Sequence, residues 1–182
     1  MMAGSNPRLP LAFALAAVWA LPLSAQPRHV DAHTHGMGKM TLVIAGSAVS
    51  IQLTIPGSDI VGFERQAQTP EEQSAVDSAI AALSNPLELF AFSPDRACAV
   101  TAADAHFGAH DEADTHDHDE DHAEFTVNHT LDCPDLAAGN LQFRTRLFDE
   151  FDGTQNLTVE GLVDGVAVLG TLSREQAALD LR

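Results

Sequence analysis

The chain is poor in positive charge: only 9 of its 182 residues are Lys or Arg, against 26 Asp and Glu, for a net charge of −17. Such a surface has no electrostatic reason to hold nucleic acid or an anionic membrane, and it attracts cations. Tyrosine is absent, and the single tryptophan, Trp19, lies in an apolar N-terminal stretch. Cysteine is limited to Cys98 and Cys133 with no C-x-x-C pair, which argues against a thiolate metal centre. There is no H-E-x-x-H, no G-x-S-x-G and no internal repeat. The hydrolase signatures that would make a metalloenzyme or a serine esterase the first reading are therefore missing.

What is present begins with an exported leader. Arg8 precedes the uncharged run Leu9 to Leu23, which ends in Leu23-Ser24-Ala25. That layout is expected to be a signal peptide over residues 1–25. Pro10 and Pro22 bracket a run shorter than the roughly 20 apolar residues a spanning helix needs. No cysteine stands near the cleavage site to carry a lipid. Cleavage would leave 157 of the 182 residues, enough for one domain with a real core. Delivery to an oxidising periplasm makes a Cys98–Cys133 disulfide the expectation, with a cysteine-based metal site the weaker rival. A loop of about 35 residues closed this way contributes roughly 3.8 kcal/mol in the chain-entropy treatment.

The mature chain reads as α+β: a single antiparallel, β-rich domain with one prominent helix and a long His/Asp-rich hairpin loop. Met40, Leu42 and Ile44, then Val49, Ile51, Leu53 and Ile55, alternate with polar or small residues around Gly46-Ser47. Pairing Ala45 with Ala48 puts Leu42 opposite Ile51 and Met40 opposite Leu53, on one face. Thr69-Pro70-Glu71-Glu72 is a capping box opening a helix through Val76, Ala79, Ile80 and Leu83, stopped by Asn85-Pro86. Ala97 to His106 and Phe125 to Cys133 read as a second hairpin, and a Cys98–Cys133 bond would put Val100 opposite Leu131 and His106 opposite Phe125. Its loop would span 107–124. Leu141 to Leu147 alternates again, and Asp164-Gly165 joins two further strands.

The chemistry concentrates in that loop. His106 to Glu124 holds five histidines, His106, His110, His116, His118 and His122, with eight acids and no Lys or Arg. An acidic run alone would be a solvated surface. Imidazole adds little solubility at neutral pH, so five of them beside carboxylates point to a divalent metal, zinc first, with nickel and Cu(II) compatible. Binding through neutral imidazole should weaken below about pH 7. An EF-hand reading of Asp117 to Asn128 fails, because His122 stands where the turn needs Gly and Asn128 where a bidentate Glu is needed. A second candidate is His33-Thr34-His35. At i and i+2 of a strand both rings point to one side, here the non-core side of the first hairpin. His29, Asp31, Glu64 or a loop histidine could complete the shell. His129 shares a face with Phe125, Val127 and Leu131 and reads as a packed core histidine.

These pieces together resemble the ZrgA-like periplasmic zinc-binding proteins. The matching segments are His33-Thr34-His35-Gly36, Pro56 to Glu64, Thr69 to Gln73 with its helix, and Cys98 before a His/Asp-rich insert. His122-Ala123-Glu124-Phe125, Cys133, Leu147-Phe148 through Phe151, and Leu172 to Leu181 follow. The resemblance implies periplasmic capture of zinc ions that could feed a zinc uptake system. Two positions depart from the family habit: Arg65 stands where it often has His, and His129 where it tends to an aromatic. The competing classes are a secreted structural or adhesion domain with an acidic solvated loop, and a zinc-dependent hydrolase. Equilibrium dialysis against zinc separates the first of these from a capture protein.

Overall fold

The computed structural model describes residues 35–109, 122–136 and 140–181. The leader reading over 1–25 and the candidates His29, Asp31, His33, His110, His116 and His118 lie outside the described residues. Strands β1 (Met37–Ala45) and β2 (Ala48–Pro56) form the first hairpin with the expected register, Leu42 opposite Ile51 and Met40 opposite Leu53. A one-turn helix α1 (Gly57–Ile60) leads to α2 (Pro70–Leu83), whose N-cap Thr69 hydroxyl accepts the Glu72 N–H at 3.1 Å. The short α3 (Pro86–Leu89) runs into β3 (Phe90–Ser93). There follow β4 (Ala99–Ala109), β5 (Ala123–Asp132), β6 (Gln142–Thr145), α4 (Leu147–Glu150), β7 (Asn156–Val163), β8 (Val166–Ser173) and β9 (Ala178–Asp180). Among the described residues no helix is long and apolar enough to cross a membrane.

The strands make two sheets, six-stranded in the order β4-β5-β2-β1-β7-β8 and three-stranded in the order β3-β6-β9. Among the described strands the expectation of antiparallel pairing holds everywhere but one place. β1 and β7 run parallel, with Met40 beside Val159 and Leu42 beside Gly161. Alternation of apolar residues reports a face, not a direction, and the long stretch between β2 and β7 leaves room for the chain to return either way. Gly161 fits this contact because a Cβ there would collide with the Leu42 carbonyl.

The core lies between one face of the large sheet and the small sheet with α2. Met40, Leu42, Ile51, Leu53, Phe125 and Val127 come from one side. Phe90, Phe92 and Phe143 come from the other, Phe90 stacking on Phe143 with ring centroids 5.5 Å apart. Each such side chain contributes about 1.5–3 kcal/mol by burial. His129 is among them: its Nε2–H donates to the Leu83 carbonyl at 2.8 Å, tying β5 to the end of α2. The hydrogen bond accommodates a polar ring in this apolar layer.

The second hairpin is longer than expected and out of step by one. Cys98 and Cys133 are disulfide-bonded, and Val100 faces Leu131. A bulge between Val100 and Ala102 then shifts the register, so Phe107 and not His106 faces Phe125. Residues 107–109 and 123–124 belong to the strands, which trims the expected loop of 107–124 from both ends.

Candidate metal-binding site

Three segments that are far apart in sequence meet at one end of the large sheet: the turn before β1, the chain from α1 to Glu64, and the residue before β5. Each is anchored by backbone geometry. His35 and Gly36 form a turn, not a strand, since β1 begins at Met37 and Gly36 has φ of +80°. The Gly36 N–H is taken by both oxygens of Asp59, at 2.9 and 2.8 Å, and its carbonyl accepts from Gln155 N and Asn156 N. Asp59 is only 6 % exposed and is held from behind by Gly153, where a Cβ would strike the Asp59 carbonyl. The Ala123 N–H donates to the Glu64 carbonyl at 2.9 Å and so fixes His122 beside that residue. Below, Phe63 meets the Phe107 ring edge-on at 6.0 Å, and Phe107 packs on Phe125 at 4.6 Å.

The side chains then fall into a chain of contacts centred on Glu64. Its Oε2 lies 2.8 Å from His122 Nδ1, and its Oε1 lies 3.2 Å from His35 Nδ1. Ser58 Oγ donates to Glu64 Oε1 at 2.6 Å and stands 2.7 Å from His35 Nδ1. The carboxylate is shielded, at 11 % exposure, while the His35 and His122 rings are open at 74 % and 53 %. Burial by itself pushes the Glu64 carboxyl up. The hydrogen bonds from Ser58 and His122, with the two nearby imidazoles, outweigh it and leave the group below its ordinary value. Asp59 goes the other way. Burial dominates over the Gly36 hydrogen bond and the attraction of His35, so its carboxyl is raised.

Two imidazoles and a carboxylate from three segments are the donor types zinc takes. Ligands bound at about 2.0–2.1 Å in a tetrahedron stand roughly 3.3 Å apart, close to the His35–Glu64 spacing and wider than the His122–Glu64 one. Among the described residues no three His, Cys, Asp or Glu side chains are gathered tightly enough to hold an ion as they stand. Glu64 touches each histidine and so links the two.

Of the residues expected from sequence, the structure thus brings together His35, Glu64 and His122. It does not bring His106, whose Nε2 pairs with Asp104 at 2.8 Å on the exposed side of β4, away from Phe107. His35 departs from its expected strand position, because the positive φ of Gly36 ends the alternation one residue later. Arg65 is occupied elsewhere, clamping Glu72 with both guanidinium nitrogens at 2.9 and 2.6 Å and lying over Phe63. That clamp, with the Gln68 N–H, holds the Glu72 carboxyl down to about 2. Ser58 and Asp59 were not legible as site residues. The available signal was a lone polar pair between Ile55-Pro56 and Ile60-Val61, placed just where a strand gives way to a turn.

Comparison with known proteins gives one family. A family model described as ZrgA family zinc uptake protein matches residues 32–181. No curated protein matches the chain.

Proposed function

The chain belongs to the ZrgA family of zinc uptake proteins, and we propose that it captures Zn²⁺ in the periplasm, at a site centred on His35, Glu64 and His122. The observation that carries this reading is the Glu64 carboxylate, shielded and in contact with one histidine from each of two distant segments. His122 is also the last histidine of the His/Asp-rich segment. Ions gathered by His110, His116, His118 and the acids around them would be delivered beside the ordered site. The segment raises the local zinc concentration, and the site supplies donors whose backbone is anchored before the ion arrives. His33, two residues from His35, is a further ligand candidate. The acquisition role would be completed by a zinc uptake system receiving the ion.

We read the protein as a binder, not an enzyme. Ser58 and Glu64 both approach the same nitrogen of His35. A serine hydrolase relay instead needs the serine on one ring nitrogen and the acid on the other.

Zinc titration of the exported protein against a competing chelator tests the proposal. Replacing His35 and His122 together with Ala should remove the tightest site and leave several weaker ions bound. Deleting residues 110–121, which spares both strands of the hairpin, should lower the number of ions and preserve the tightest one. If the double substitution leaves the tightest affinity unchanged, the site lies elsewhere. If the deletion abolishes it, the loop supplies direct ligands to it.

A further inference from the structure

The hydrogen bonds around Glu64 determine where the protons sit, and with them which nitrogen of each histidine is left for an ion. An ionised carboxylate only accepts, so every group at its oxygens must donate. Ser58 has one proton and two carboxylate neighbours, Glu64 Oε1 at 2.6 Å and Asp59 Oδ1 at 3.4 Å, and the nearer takes it; either way the hydroxyl donates to a carboxylate. The hydroxyl oxygen can then only accept from His35 Nδ1 at 2.7 Å, so that nitrogen carries a hydrogen. The other carboxylate oxygen, 2.8 Å from His122 Nδ1, requires a hydrogen there too. A neutral imidazole protonated at Nδ1 has its lone pair at Nε2.

We infer that Ser58 and Glu64 are positioning residues that hold His35 and His122 as Nδ1–H tautomers and present the Nε2 atom of each to the zinc ion, Glu64 itself staying outside the ion's shell. This rests on the capture site proposed above and specifies its atoms. Exposure agrees with it. The carboxylate edge of the cluster is covered, whereas both rings are open to solvent. An ion seated between His35 Nδ1 and Glu64 would have to break the shortest hydrogen bonds of the cluster and accommodate Ser58 Oγ, which lies against both. An ion on the Nε2 side leaves them intact, and they then orient the rings and raise their basicity, as carboxylates behind metal-binding histidines do.

The test is a long-range ¹H–¹⁵N correlation spectrum of the histidine rings in the full-length exported protein, without and with zinc at neutral pH. It is run for the wild type, Ser58→Ala and Ser58→Thr, with chelator competition giving the tightest affinity. The expected result without metal is Nδ1–H on His35 and His122, and with zinc a perturbation at Nε2 of both. Ser58→Ala should release His35 into a mixture of tautomers and weaken the tightest site roughly 10- to 100-fold, and Ser58→Thr, which keeps the hydroxyl, should restore both. Nε2–H tautomers in the zinc-free protein, or zinc attached through Nδ1, would overturn the inference. So would a Ser58→Ala protein with the wild-type tautomer and affinity. Nδ1–H tautomers that zinc leaves unperturbed would sink the capture site while upholding the hydrogen-bond chain, so the two failures are distinguishable.

Discussion

Asp59 makes the sharpest prediction about affinity, because its strongest tie to the site is to one backbone group, the Gly36 N–H. Its two oxygens converge on the Gly36 N–H and tie the backbone of the His35–Gly36 turn to α1, whereas Ser58 reaches only the His35 ring. Asp59→Ala removes the acceptor and leaves a buried N–H without it. That costs about 1–3 kcal/mol in folding stability, offset in part because a buried carboxyl that ionises reluctantly is also removed. The effect on zinc is separate. With the turn released, His35 and Gly36 must be ordered when the ion binds, at roughly 1–2 kcal/mol per residue. Two residues give about 2–4 kcal/mol, which is roughly a 30- to 700-fold loss in the tightest affinity. Asp59→Asn keeps one carbonyl acceptor for Gly36 and should fall between wild type and Asp59→Ala. Chelator competition measures the affinity, and urea denaturation of the metal-free variants measures the stability. An Asp59→Ala protein that folds and binds zinc within threefold of wild type would refute the idea that a preformed turn sets the affinity.

His129 should give the fold a pH dependence of known sign. Burial holds its folded pKa below the reference of 6.5, against the pull of the Leu83 carbonyl and Asp104. The stability it permits is therefore full above about pH 6.5 and is lost as pH falls through the lowered folded value. His129→Phe should flatten that part of a urea-midpoint profile, and an unchanged slope would count against the assignment. Replacing Cys98 and Cys133 together with Ser should lower the unfolding free energy by roughly 3.8 kcal/mol, the closure entropy of a 35-residue loop; a loss under 1 kcal/mol would contradict it. Phe143→Ala, at the centre of the aromatic layer, should cost about 3–5 kcal/mol in the same assay, and a small loss would mean that Phe90 and Phe92 refill the space.

Local chemistry was readable from the chain alone wherever neighbours in sequence are neighbours in space. The Gly46-Ser47 hairpin with its register, the Thr69 cap and the Asp164-Gly165 turn all follow from dihedral preference and from alternation, which act over a few residues. So did the disulfide, since the two cysteines flank one hairpin, and the packing of His129, since its face is shared with Phe125 and Val127. The donor types of the site were legible too, because imidazole and carboxylate without competing cations state their chemistry by composition. What only the tertiary structure decided is which donors meet. A period of two is blind to strand direction, so the parallel β1–β7 pair was invisible, as was a bulge that shifts His106 past Phe125. The junction joins His35, Glu64 and His122, whose ends lie 87 positions apart in sequence (122 − 35). It is set by Asp59 holding Gly36 and by Ala123 holding the Glu64 carbonyl. Each rests on one backbone N–H held by a distant segment, and no spacing rule within either segment encodes it.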